Sequence, residues 1–162
     1  MSATIVVEDG TGKANSNSYI SAADLTTYAT DRGVTIAGTS EDLIIQAMDY
    51  IEQQPFKGVK GTDAQALQWP RYNVVIDNYY VSTSTIPQLL IDALAEVAIG
   101  IDGGNNPLAN EDRATKKEKV DVIEVEYMDG ARNKTYLAAA EAKLSKLLAA
   151  GANGFAAMAY RA

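Results

Sequence analysis

Leu43, Ile44, Ala47, Met48 and Ile51 recur at helical spacing between Ser40 and Pro55, and that stripe constrains the fold more than any other feature. Residues so spaced fall on one side of an α-helix, so the segment must bury one face against another element. Ser40 is the candidate N-cap, and Glu41 and Asp42 suit the positive end of the helix dipole. Pro55, which lacks a backbone N–H, ends the segment.

The same logic predicts three more helices. Ser21 precedes Asp24 by three residues, a capping-box-like start to a helix over about 22–32. Leu25, Tyr28 and Ala29 share one face of it, and Gly33 stops it. Thr85-Ile86-Pro87 opens the next, with Pro87 at the first helical position and Leu90, Leu94, Val97, Ala98 and Ile101 as its stripe. The last begins at Thr135 or Tyr136 and turns Leu137, Ala140, Leu144, Leu147 and Leu148 inward. Strand signals are shorter. Residues 4–7 are β-branched and lead into a turn at Gly10 and Gly12. Residues 73–81 read as a short strand or an ordered loop. Residues 120–127 alternate, with Ile123, Val125 and Tyr127 on one side and Glu124 and Glu126 on the other, as in a half-buried strand. Much of the 47% hydrophobic content is alanine, which suits closely packed helices. The expected fold is mainly α: a small helical bundle with a short β-hairpin or strand elements and long loops. The 162 residues fit one domain, over 1–150, followed by a flexible C-terminal tail over 151–162.

Composition narrows the chemistry. The chain has neither histidine nor cysteine, which removes thiolate and imidazole nucleophile–base pairs, disulfides and ordinary zinc sites. No catalytic, cofactor-binding or metal-binding residues are assigned, and no enzyme activity is expected. The net charge of −7 repels a nucleic-acid backbone at long range, and suits a wall past which DNA slides. The N-terminus lacks a basic start followed by an apolar run, and no apolar stretch approaches the roughly 20 residues of a membrane span. A soluble, cytoplasmic protein is expected, with no membrane partner.

Five local features invite a functional reading. Gly10-Thr11-Gly12-Lys13 hints at a phosphate loop, but Val7 stands where a first glycine belongs and Ala14 where Ser or Thr belongs, so a turn is expected. Glu124 and Glu126 form a carboxylate pair on the solvent side of a strand, where they discourage wrong pairing rather than do acid–base work. Arg113, Lys116, Lys117 and Lys119 are interleaved with Glu111, Asp112 and Glu118, the pattern of a solvated loop. Trp69 reads as a core anchor; a base-stacking role would draw on Arg71 and on the tyrosines at 72, 79 and 80. Phe155, Met158 and Tyr160 lie beyond the last stripe, after Gly151 and Gly154, where they either dock on a partner or pack back on the chain.

Several blocks, in order, resemble one known family. Val7-Glu8-Asp9-Gly10-Thr11-Gly12, Ala14-Asn15 and Asn17-Ser18-Tyr19 come first. Ala47-Met48-Asp49-Tyr50-Ile51, Phe56-Lys57-Gly58 and Gln65-Ala66-Leu67-Gln68-Trp69-Pro70-Arg71 follow. Ile86-Pro87, Lys119-Val120 and Val125-Glu126-Tyr127 complete the set. The pattern resembles the head–tail connector (adaptor, head-completion) proteins of tailed bacteriophages, a family also labelled DnaT-like single-strand DNA-binding protein. Phe56 stands where the pattern often has a second tryptophan, and Asn15-Ser16 is an insertion in the N-terminal turn. The resemblance implies a structural virion protein at the neck: a subunit of a ring, twelve-fold in many relatives, beneath the portal. Such a ring extends the DNA channel and offers a platform to a tail-side neck or tail-terminator protein, with genomic DNA passing through its lumen without specific binding. It also implies that the terminal segment reaches outward, so Phe155, Met158, Tyr160 and Arg161 are the expected contacts with the portal or an adjacent subunit. The alternative is a single-stranded DNA-binding module.

Overall fold

The computed structural model describes residues 2–108, 117–120, 123–126 and 137–149. Within them the chain forms α1 (Ala22–Thr30), α2 (Ser40–Ile51), β1 (Val59–Lys60), β2 (Arg71–Tyr72), β3 (Val75–Ile76), β4 (Tyr79–Tyr80), α3 (Gln88–Asp102), β5 (Lys117–Val120), β6 (Ile123–Glu126) and α4 (Ala138–Leu144). The strands pair antiparallel as β1–β2, β3–β4 and β5–β6.

Each apolar stripe meets another helix. Helix α3 packs against α2 and α4, and α1 packs against α2 and α3. Leu25, Ile44, Ile51, Leu90, Leu94, Val97, Leu144 and Leu147 are fully buried where these faces meet. Burial of apolar surface on this scale is the main drive to fold. Glu96 on α3 ties the helices together at the rim. Its carboxylate accepts from the Tyr28 hydroxyl and the Lys143 ammonium, each at 2.8 Å. The Arg32 guanidinium lies 3.4 Å above the Tyr28 ring, a cation–π contact.

The starts of α1, α2 and α3 follow the local chemistry to within a residue, whereas α4 begins at Ala138 and the expected start at Thr135 or Tyr136 lies outside the described residues. The Ser21 hydroxyl accepts from the Asp24 N–H at 3.1 Å and so caps α1. Ser40 does not cap α2: it is the first helical residue, and Thr39 is the cap without a side-chain bond. The turn before α2 is held from across the fold instead, by Asp102, whose carboxylate accepts the Ala37 and Gly38 N–H groups at 2.9 and 2.8 Å. Pro87 sits one position before α3 rather than inside it.

The fold is small and mixed, not a mainly α bundle. The departure lies in the stretch between α2 and α3, which carries β1 to β4 and still sends Phe56, Leu67, Trp69 and Val74 into the core. Large apolar residues in loops and two-residue strands do here what helix stripes do elsewhere. Residues 4–7 form no strand; Val7 makes a single parallel bridge to Ser18. The alternating segment does form a strand, β6, paired with β5 in the register Lys117↔Glu126 to Val120↔Ile123. Lys117 and Lys119 therefore belong to a strand and not to a loop. After α4 the chain pairs with the segment behind α2: Leu148 bridges Phe56, and the Ala149 N–H donates to the Pro55 carbonyl at 2.8 Å.

Candidate functional site

The glycine loop after residue 7 closes around a carboxylate of its own. Glu8 is buried. Its Oε1 accepts the Gly10 and Gly12 N–H groups, both at 2.9 Å, and its Oε2 accepts the Lys13 N–H at 2.8 Å and the Ser16 hydroxyl at 2.9 Å. Burial alone would raise the Glu8 pKa, but these donors together outweigh it and hold the group below its ordinary value. The N–H groups that a bound phosphate would use are thus already taken, which gives the turn its physical basis. Gly10 has a φ of +98° and lies where a Cβ would fall 2.2 Å from the Ser84 carbonyl oxygen. No larger residue fits there.

The block over residues 65–71 is an internal brace. Trp69 is fully buried and meets Phe56 edge to face, at 5.9 Å between ring centroids. The Trp69–Pro70 peptide is cis. Arg71 is buried, and its guanidinium donates to the carbonyls of Phe56, Lys57, Gly58 and Gln68 and to the Gln68 side chain. The planar fork of arginine suits such a bundle of acceptors. The Gln65 amide donates to the Leu67 and Pro70 carbonyls and accepts the Thr62 N–H. Glu52, at the end of α2, accepts the Tyr19 hydroxyl at 2.5 Å and the Gln68 backbone N–H at 2.8 Å, while the Trp69 backbone N–H donates to the Tyr19 oxygen at 3.1 Å. Burial pushes the Glu52 pKa up despite these bonds, and burial with the Glu52 charge pushes Tyr19 far up. Trp69 and Arg71 therefore serve the core and present no stacking surface to a ligand.

What the block does present is the face beside it. Gly58, at a φ of +71° and with the Tyr72 carbonyl oxygen 2.1 Å from where a Cβ would lie, lets β1 and β2 approach. Val59 pairs with Tyr72, and Lys60 with Arg71. The β3–β4 hairpin turns at Asp77 and Asn78, both with positive φ, and pairs Val75 with Tyr80. Tyr79 and Tyr80 are 79% and 81% exposed and, as consecutive strand residues, point to opposite sides of β4; Tyr72, Val59 and Val75 are exposed as well. The Lys146 ammonium reaches Asp77 at 2.8 Å, and the Lys57 ammonium reaches the Lys146 carbonyl at 2.8 Å. Of the nearby lysines, Lys146 reaches the hairpin, where its charge is paired with Asp77.

The expected partner contacts Phe155, Met158, Tyr160 and Arg161 lie outside the described residues, as do Arg113 and Lys116. Among the described residues no group of three or more Asp and Glu is placed to hold a metal ion, and no helix is long and apolar enough to cross a membrane. One open hollow of about 290 Å³ lies between α1 and the start of α2, lined by Thr26, Thr30, Gly33, Val34, Thr35, Ile36 and Ser40. It holds no charged side chain.

Sequence reasoning raised the tyrosines at 72, 79 and 80 together with Trp69 and Arg71; the structure separates the two groups. It missed Lys146 as the partner of Asp77 at the hairpin tip, because Lys146 arrives there only through the chain that follows α4.

These features define a small mixed α and β domain with an internally braced loop system, a hairpin that exposes two tyrosines, and no catalytic constellation among the described residues. A family model described as "Putative DnaT-like ssDNA binding protein" matches residues 3–162, and the chain belongs to that family. No curated protein and no solved structure matches it.

Proposed function

We propose that the chain is a structural virion protein of tailed phages, a head-to-tail adaptor subunit that works by assembly and not by catalysis. In this reading it forms a ring beneath the portal, twelve-fold as in many of the proteins it resembles, and lengthens the DNA channel at the neck. Its partners are the portal, a tail-side neck or tail-terminator protein, and further copies of itself. Before assembly it resides in the host cytoplasm. The observation that supports the reading is the use the fold makes of the resemblance blocks. Glu8, from the N-terminal block, and Gln65, Trp69 and Arg71, from the Trp-Pro-Arg block with its upstream glutamine, the most specific of them, all brace loops inside the domain. A subunit that is mostly interface needs its loops held in fixed shapes, because ordering them on assembly costs conformational entropy. The charge of −7 suits a lumen through which DNA moves without sticking. Purified protein mixed with the portal of its own phage should give a ring on the portal's tail-facing end by electron microscopy. Failure to bind any virion component would sink the reading.

A second reading, a single-stranded DNA-binding module, has its own support. The family description names single-stranded DNA and no connector, so the comparisons favour this reading over the adaptor. The exposed tyrosines favour it as well. Against it stand the overall acidity and the burial of Trp69 and Arg71. Binding of labelled oligonucleotides across a salt series separates the two readings, since a nucleic-acid complex weakens steeply as salt rises.

A further inference from the structure

We propose that the β5–β6 hairpin joins copies of this chain head to tail, the free edge of β6 on one copy pairing antiparallel with the free edge of β5 on the next. The proposal rests on the adaptor reading for its role, and names the surface between neighbouring subunits. Among the described residues the hairpin is a two-stranded sheet, and neither strand contacts a further strand or a helix. A lone two-stranded hairpin is marginal in water, and gains stability from a third strand or a packed face. Each strand also keeps one edge of backbone N–H and C=O groups without a partner strand, a ready template for another strand.

The register selects the occupant. Lys117 stands opposite Glu126 and Lys119 opposite Glu124, so these positions share one face of the sheet. Both lysines of that face belong to β5 and both glutamates to β6. Glu118, Val120, Ile123 and Val125 occupy the positions of the other face. Pairing β5 with β5 of another copy sets Lys against Lys, and pairing β6 with β6 sets Glu against Glu. Pairing β6 with β5 sets Glu against Lys and repeats the register inside the hairpin. Opposite charges at cross-strand positions favour pairing, and like charges oppose it. A slip by one residue would set the charged positions against the apolar ones. The charges therefore disfavour two-fold pairing and admit head-to-tail pairing. Such a contact is heterologous, and repeated with a suitable rotation it closes into a ring. It also joins the apolar faces of successive hairpins into one strip. At −7 per chain the copies repel at long range, so a contact between them needs local complementarity of this kind.

The test uses the full chain in sedimentation velocity over a concentration series, with circular dichroism as the check on folding. The wild type should associate as concentration rises. K117E/K119E and E124K/E126K should each associate at least about 10-fold more weakly, because every contact then sets like charges together. An equimolar mixture of the two should recover association, since each strand of one variant then meets the opposite charge on the other. The fully exchanged variant K117E/K119E/E124K/E126K keeps opposite charges within its own hairpin, and so controls for misfolding. It should associate with itself as the wild type does and fail to co-assemble with it. A wild type that stays monomeric, or reversed variants that associate as well as the wild type, would overturn the proposal. So would loss without recovery in the mixture, which would confine the charges to the hairpin's own stability. Preferred co-assembly of the wild type with the exchanged variant would mean two-fold pairing and overturn the head-to-tail contact. Portal capture is scored separately by electron microscopy. Capture alongside any of these failures removes the hairpin contact and keeps the adaptor reading; recovery in the mixture without capture keeps the contact and removes that reading.

Discussion

Arg71 shows how one residue can mislead a sequence reading. Beside Trp69 and a run of tyrosines it looks like a phosphate contact, yet its guanidinium is spent on the carbonyls of Phe56, Lys57, Gly58 and Gln68. Trp69 is the matching case for apolar area: Trp69→Ala should destabilise the domain by about 3–5 kcal/mol, read as a shift in the urea midpoint. Wild-type stability in that variant would mean that the ring is not buried in solution. Glu8 is the third such residue. Glu8→Ala strips the Gly10, Gly12 and Lys13 N–H groups of their acceptor, and should cost about 2–4 kcal/mol. The pH dependence has opposite signs at Glu8, which is buried, and Glu52, which is half-buried. Glu8 titrates below its ordinary value of 4.5, so its stabilisation is present above that value and is lost as pH falls through the folded pKa. Glu52 titrates above 4.5, so its contribution is complete below that value and is lost as pH rises through the raised pKa. Urea midpoints measured across the acid range should therefore flatten in Glu8→Gln on the low side and in Glu52→Gln on the high side. Unchanged profiles would show that neither group senses folding.

Helix α1 and the β3–β4 hairpin show how far local rules reach among the elements. Ser21 caps α1 as its spacing from Asp24 requires, and Ser21→Ala should cost about 1 kcal/mol in thermal or chemical unfolding. The hairpin turn places Asp77 at φ +50° and Asn78 at φ +69°, the left-handed pair that a two-residue connection with the right twist demands. Asn78→Val puts a β-branched residue in that region and should cost about 1–2 kcal/mol while distorting the hairpin. Asn78→Gly should leave stability and the hairpin intact. If both variants behave alike, the turn is not formed as described. The Lys146–Asp77 pair at its tip is exposed and contributes little to stability, since solvent screens it.

At the scale of the whole molecule, the C-terminal part closes the core. Leu144, Leu147 and Leu148 are buried, and the residues up to Ala149 are bonded to the segment behind α2. Truncation after Lys143 removes these anchors and should unfold the domain. Truncation after Ala150 keeps them and should leave helical content and thermal midpoint unchanged. If Phe155, Met158, Tyr160 and Arg161 contact the portal or a neighbouring subunit, the second truncation should instead weaken incorporation into virions. A lowered midpoint in it would mean that these residues pack on their own domain, and normal incorporation would mean that they are dispensable.

The helices were legible in the sequence because helical periodicity, capping and proline punctuation act within a few residues of each other. The stripes of α1, α2, α3 and α4 all face the core. The glycine loop was legible as a turn for the same reason, though not the carboxylate that fills it. Trp69 was legible as a core anchor, and it is buried; the tertiary structure alone decided that Asp102 holds the turn before α2, that residues 52–87 supply core side chains without helices, which ring Trp69 packs on, and that Arg71 faces inward while the tyrosines face out. Each of these depends on partners distant along the chain: the Phe56, Lys57 and Gly58 carbonyls for Arg71, Phe56 for Trp69, and the N–H groups of residues 37 and 38 for Asp102. A polar side chain finds the acceptors that packing brings near it, and no local spacing encodes which those are.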